Sequence, residues 1–95
     1  MSINVSVIIP TFNRVKFLPK CIKSVLSQTY PVDEIILVDN RSTDGTVNYI
    51  KGNFREVKVL IEKAKGVSSA RNLGIVNSKN DWIALLDSDD EWMPD

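Results

Sequence analysis

The sequence predicts a three-layer α/β/α fold with four mainly parallel strands in the order 3-2-1-4. Two observations carry that expectation. Four short runs of β-branched and aliphatic residues (3–9, 35–38, 57–61 and 82–86) alternate with segments whose apolar residues recur at helical spacing. Such a βαβαβαβ pattern calls for a parallel sheet with right-handed crossovers. The third run places Val57 and Val59 on either side of Lys58, the alternation of an edge strand.

The first run is apolar on both faces towards its end, as a central parallel strand requires. Pro10 stops it, and Thr11-Phe12-Asn13-Arg14 forms a polar loop. Phe17, Leu18, Cys21, Ile22, Val25 and Leu26 then share a helical stripe, with Pro19 in the first turn and Lys16, Lys20 and Lys23 on the solvated face. That helix is expected to end near Gln28, before Thr29-Tyr30-Pro31. Ile35-Ile36-Leu37-Val38 is a second apolar strand, closed by Asp39. Asn40 to Gly45 is dense in turn formers, with Ser42, Thr43 and Asp44 as caps of a short helix carrying Val47, Ile50 and Phe54. A third helix runs from Gly66 to about Asn77, where Ala70 and Gly74 permit close approach to the sheet. Asn80-Asp81 then turns the chain into the fourth strand, which breaks into Asp87-Ser88-Asp89-Asp90. Trp82 and Trp92 read as packing residues.

Ninety-five residues make one domain or part of one, and 43% hydrophobic with 25% charged residues is ordinary for a soluble protein. Lys plus Arg and Asp plus Glu both number 12, so no global field favours nucleic acid. No run approaches the roughly 20 apolar residues of a membrane span, and no basic leader precedes the first strand. A single cysteine and no histidine exclude a disulfide framework, a thiolate or imidazole zinc site and a His-based triad. A metal would have to be held by oxygen, which favours Mg or Mn. The expected location is cytoplasmic.

With strand order 3-2-1-4 the switch point lies between strands 1 and 4, where ligands bind outside the carboxyl ends. Three polar tips meet that rim: Thr11-Phe12-Asn13, Asp39-Asn40-Arg41 and Asp87-Ser88-Asp89-Asp90. Carboxylates spaced as Asp87 and Asp89 can share one cation and the anion it holds; without that context they read as an acidic surface loop.

Four stretches carry a family resemblance. Val5-Ser6-Val7-Ile8-Ile9-Pro10-Thr11-Phe12-Asn13-Arg14 resembles the opening strand and loop of family 2 glycosyltransferases, the inverting group with the Rossmann-like GT-A fold. Val38-Asp39-Asn40-Arg41-Ser42-Thr43-Asp44-Gly45-Thr46 and Gly66-Val67-Ser68-Ser69-Ala70-Arg71-Asn72-Leu73-Gly74 are similar to the second and third signatures, and Leu86-Asp87-Ser88-Asp89-Asp90 to the DxD region. The resemblance covers the whole chain but only the nucleotide-sugar-binding half of such an enzyme. It implies a nucleoside diphosphate sugar, UDP-sugar by default, bound with Mn2+ or Mg2+. Nucleotide contacts then fall on Pro10, Thr11, Asn13, Asp39, Asn40, Arg71, Asp87 and Ser88, and the metal on Asp89 and Asp87. Asp90 either faces the ligand or caps Trp92-Met93, and Asp39 either contacts ligand or caps its own turn. Asn40 stands where the family usually has a second acid; an amide carries both a donor and an acceptor, so thymine and guanine stay open beside uracil. Arg71 binds the nucleotide, pairs with an acid such as Asp39, or both.

The family's general base lies well beyond the DxD, in the acceptor half, so residues 1–95 are expected to form a single truncated domain, inactive alone. The parent reaction would be inverting transfer to a glycan or lipid acceptor in surface-polymer synthesis, with possible peripheral membrane attachment of the parent protein. An open edge at strand 4 suggests a homo-oligomer. The rivals are a non-catalytic interaction module using that edge, a receiver domain and a nucleotidyltransferase. A receiver would need acids after strand 1 and a fifth-strand lysine. A nucleotidyltransferase would want glycine in the first loop.

Overall fold

Strand and helix alternate from end to end: β1 (Val5–Thr11), α1 (Leu18–Leu26), β2 (Glu34–Asp39), α2 (Thr46–Asn53), β3 (Val57–Ile61), α3 (Val67–Val76) and β4 (Trp82–Leu85). The computed structural model describes residues 5–27, 32–80 and 82–87. All three strand pairings are parallel, and the order is β3-β2-β1-β4, as the sequence predicts.

The two faces of the sheet bury alternate residues of each strand, which is why the central runs are apolar throughout. Val7, Ile9, Ile35 and Leu37 meet Leu18, Cys21, Ile22 and Val25 of α1 and Ile50 of α2. Ile8, Ile36 and Val38 face Ala70 and Leu73 of α3 on the other side. Side chains such as Ile8, Ile22 and Ile36 are 0% exposed, and each contributes about 1.5–3 kcal/mol by leaving water. The chain thus winds outward from β1 to β3 with its helices on one face. It then crosses back through α3, on the opposite face, to place β4 beside β1. That reversal creates the switch point.

Gly74 sets how closely α3 can lie. A Cβ there would stand 2.5 Å from Ile8 Cγ2 and 3.2 Å from Val38 Cγ2. At the opposite, N-terminal end of the strands, Glu34 ties β1 to the α3–β4 connection. Its Oε1 accepts the Ser6 hydroxyl at 2.8 Å and the Lys79 N–H at 3.0 Å, and Asn80 Nδ2 donates to Ser6 Oγ at 3.0 Å.

Several local expectations change. α1 ends at Leu26, with Ser27 as its C-cap. α2 takes Gly45 as its N-cap; Asp44 accepts from the Thr46 N–H and hydroxyl, but no side chain caps the helix in the ordinary way. Trp82 is not a packing residue: it is 64% exposed on the outer strand, because β4 has no neighbour on that side among the described residues. Gln28 to Pro31, Asp81 and Trp92 lie outside the described residues. No described helix is long and apolar enough to cross a membrane.

Candidate functional site

The register places Thr11 opposite Asp39 at the carboxyl ends of β1 and β2, and β4 reaches the same rim one strand away, where the Leu86 N–H donates to Ile8 O at 3.0 Å. Between these ends and the start of α3 opens a cavity of about 830 Å³ lined by Pro10, Thr11, Phe12, Arg14, Asn40, Arg41, Thr43, Lys65, Gly66, Val67, Ala70 and Asp87. Its charged lining is Arg14, Arg41 and Lys65 against Asp87, a local positive excess on a chain of net charge 0. Such a cleft attracts anions.

The walls are tied to one another. The Asn40 N–H donates to Thr11 O at 2.8 Å, and the Glu62 N–H to Asp39 O at 2.9 Å. Asn13 and Arg41 adopt left-handed backbone, φ 51 and 64, a conformation that costs non-glycine residues energy and concentrates at functional loops. A clasp holds Asn13 there: its N–H donates to Ser42 Oγ and its Oδ1 accepts the Thr43 N–H, both at 2.8 Å. The Val15 N–H reaches Asp44 Oδ2 at 3.1 Å. Burial pushes the Asp44 carboxyl up, but the Thr46 hydroxyl and the Val15 and Thr46 N–H groups outweigh it and hold the pKa below the usual 3.8. Gly66 enters α3 at φ 109, ψ 151, a region that L side chains rarely adopt, so the cavity wall turns on a glycine.

Of the residues predicted to contact nucleotide, Pro10, Thr11, Asn40 and Asp87 line the cavity. Asp39 lies at the same rim, 1% exposed, and Oδ2 accepts the Ser42 N–H at 2.8 Å, which is the turn-capping role. Asn13 supports the rim through the clasp and is not among the lining residues. Arg71 pairs with a rim acid, one of its two expected roles, and that acid is Asp87, Nη2 to Oδ1 at 3.3 Å, rather than the example Asp39. Arg71 projects from α3 beside Ala70, and this places its guanidinium at the β4 end of the rim. Ser88, Asp89 and Asp90 lie outside the described residues.

Among the described residues, Thr11 Oγ1, Asp39 Oδ1 and Arg71 Nε are buried side-chain polar atoms without a hydrogen-bond partner. All three belong to residues at this end of the sheet. Buried unpaired polar groups cost about 1–3 kcal/mol each, and such a concentration fits a surface completed by ligand or water. The lining side chains Phe12, Arg14, Arg41, Thr43 and Lys65 are not among the contacts that the sequence predicts. Lys65 immediately precedes the Gly66 turn, the one signal that could have placed it at the wall.

A divalent cation of the expected kind takes hard oxygen ligands. Asp87 supplies one carboxylate, 56% exposed, at the cavity edge. No three His, Cys, Asp or Glu residues cluster among the described residues. Among the described residues the donor chemistry therefore fits such an ion at one position, Asp87.

Comparison with known proteins agrees with this arrangement. Residues 6–95 match the family described as Glycosyl transferase family 2. The putative teichuronic acid biosynthesis glycosyltransferase TuaG of Bacillus subtilis is 39% identical over 95 residues, covering 96% of this chain and 38% of that one. The structure of S. aureus TarS 1-349 in complex with UDP-GlcNAc superposes with a TM-score of 0.81 at 27% identity, over 92% of this chain and 27% of that one. The mannosyltransferase PcManGT from Pyrobaculum calidifontis, in complex with GDP-Man and Mn2+, gives 0.82 at 27% identity, over 94% and 28%. The chain thus spans well under half the length of these relatives. With the family match running through all four strands and the three rim segments, the chain belongs to glycosyl transferase family 2.

Proposed function

We propose that the chain forms the donor-binding part of an inverting, metal-dependent glycosyltransferase whose donor is a nucleoside diphosphate sugar, a UDP-sugar by default. The observation that carries this reading is the convergence of the β1, β2 and β4 tips on one cationic cavity at the switch point. Diphosphate is drawn by Arg14, Arg41 and Lys65, while base and ribose lie over Pro10, Thr11, Asp39 and Asn40. Asp87 would hold Mn2+ or Mg2+ together with Asp89, the pair that the DxD resemblance implies. The ion would neutralise diphosphate charge and stabilise the departing nucleoside diphosphate. Arg71, fixed against Asp87, orients that carboxylate and adds positive charge at the same edge.

No acid in these 95 residues is assigned as the base that deprotonates the acceptor. That group is proposed to lie elsewhere in the parent protein, so the chain alone would bind donor without turning it over. The names of TuaG and of a chondroitin synthase of Escherichia coli, 35% identical over 94 residues, support polysaccharide synthesis; a glycan or lipid acceptor at the cell surface belongs to the same proposal. A cytoplasmic location, with possible attachment of the parent to the membrane face, belongs to the same proposal. The competing reading, a non-catalytic interaction module, draws on the exposed Trp82 and Leu85 of β4.

Calorimetric titration separates the two. The donor-site reading expects UDP to bind with Mn2+, binding to weaken on chelation with EDTA, and Asp89→Ala to abolish the metal dependence. Absence of nucleotide binding with or without metal would favour the module.

A further inference from the structure

We infer that the outer face of α1, a ridge of Lys16, Lys20 and Lys23 between the exposed side chains of Phe17 and Leu26, docks on an anionic membrane surface. The inference gives the membrane attachment proposed above a definite surface. It stands apart from the donor site, because none of these residues lines that cavity.

The chain is neutral only as a sum. Residues 1–32 carry Arg14, Lys16, Lys20 and Lys23 and no Asp or Glu, so all 12 acids follow from Asp33 onward. α2 is free of acids as well and adds an exposed Lys51. It shares a face of the sheet with α1, since Ile50 joins the core cluster of Leu18 and Ile22. The helical layer on that face is therefore cationic. Among the described residues no acid pairs with Lys16 or Lys23. Asp44 reaches the start of α1, but its oxygens accept the Val15 and Thr46 N–H groups, both at 3.1 Å.

Backbone winding sets the lysines in one stripe. The Leu18 N–H donates to Arg14 O at 3.0 Å and the Cys21 N–H to Phe17 O at 3.1 Å, so the helical turn begins ahead of Leu18. Lys16, Lys20 and Lys23 then stand at i, i+4 and i+7, opposite Leu18, Cys21, Ile22 and Val25, which face the sheet. Phe17, 52% exposed, and Leu26, 45% exposed, fall on opposite flanks of that ridge. A lysine ridge alone suits any polyanion, but its apolar flanks favour a bilayer. The ammonium groups meet headgroup phosphates while Phe17 and Leu26 enter the acyl boundary. Duplex nucleic acid binds chiefly through its phosphates and offers Leu26 no such apolar phase. On the inward side Cys21 Sγ lies 3.7 Å from Asp87 O, so the first turns of α1 stand beside the rim of the donor cavity, and docking holds that rim close to the lipid surface.

The test is co-sedimentation of the chain with vesicles of phosphatidylcholine alone and of phosphatidylcholine mixed with phosphatidylglycerol. Binding is expected with the anionic vesicles only, and it should fall as added salt shortens the Debye length. Each lysine at an anionic surface contributes roughly fivefold to partitioning, so Lys16→Gln, Lys20→Gln and Lys23→Gln combined should weaken binding roughly a hundredfold. Arginine at the same three positions should keep it. Phe17→Ser should weaken binding about tenfold and leave its salt dependence unchanged. No binding to anionic vesicles, equal binding to both kinds, or binding unmoved by the glutamine substitutions would overturn the proposal. Tighter binding to duplex DNA than to anionic vesicles at the same ionic strength would overturn it too. UDP titration of the same proteins reports on the donor site by itself, so failure of either reading is told from failure of the other.

Discussion

Replacing Gly74 by alanine sets two well-defined effects against each other. In the middle of a helix, alanine is favoured over glycine by about 0.8–1.0 kcal/mol. At this position, however, the new methyl would sit 2.5 Å from Ile8 Cγ2 and 3.2 Å from both Ile8 Cδ1 and Val38 Cγ2, well inside the 3.5–4.0 Å of a good carbon contact. Ile8 and Val38 are 0% exposed and belong to neighbouring central strands, so neither has space to yield. Overpacking of this kind costs about 1–3 kcal/mol, which outweighs the helical gain over most of its range. The expected outcome is a net loss of up to about 2 kcal/mol, read as a fall in Tm of about 4–8 °C per kcal/mol for a domain of this size. Since α3 also carries Arg71, pushing the helix off the sheet should lengthen the Arg71–Asp87 pair and weaken nucleotide binding in parallel. Thermal and urea unfolding of the two proteins, followed by UDP titration, measure both effects. An alanine variant more stable than the native chain would refute the close-contact argument.

Glu34 predicts a pH dependence. Burial raises its pKa, but the Lys79 N–H, the Ser6 hydroxyl and the charges of Lys58 and Lys79 together bring it below the usual 4.5. A carboxyl depressed on folding stabilises above its unfolded pKa and loses that contribution as pH falls through the folded value. Glu34→Gln should therefore be less stable than the native chain at neutral pH, with the gap closing below 4.5 in urea titrations at stepped pH. Ser42→Ala removes the acceptor of the Asn13 N–H; a loss of about 1 kcal/mol together with weaker nucleotide binding is expected, and unchanged binding would deny the clasp any role at the site. Trp82 and Leu85, 64% and 48% exposed on the outer strand, predict self-association of this chain, which sedimentation should detect as a concentration-dependent mass. A monomer at every concentration would rule out that edge as an interface.

Much of the frame was readable from local pattern. Lys58 between Val57 and Val59 marked the edge strand, and the all-apolar central runs marked β1 and β2, which together implied the order and the switch point. Gly74 was readable for the same reason, as a small residue one turn from Ala70 on the face that meets the sheet. The details of the site depend on partners distant in sequence. The Asn40 amide is oriented by carbonyls 22 and 24 residues away, and Arg71 finds Asp87 16 residues on. Nothing in the composition of either residue distinguishes these partners from others nearby. Asn13 looked like a contact because it lies in the first rim loop, but its polar atoms serve the second loop, 29 and 30 residues on. Trp82 was misjudged because an aromatic residue in an apolar run does not reveal whether its strand has a neighbour on both sides.

The central claim is that the β1, β2 and β4 tips form one donor site, and a crystal structure of the chain soaked with UDP and Mn2+ tests it most directly. The account predicts the base over Thr11 and Asn40, and Mn2+ held by Asp87 and Asp89 beside the diphosphate. A nucleotide bound away from this rim, or a metal that bypasses both acids, would contradict it.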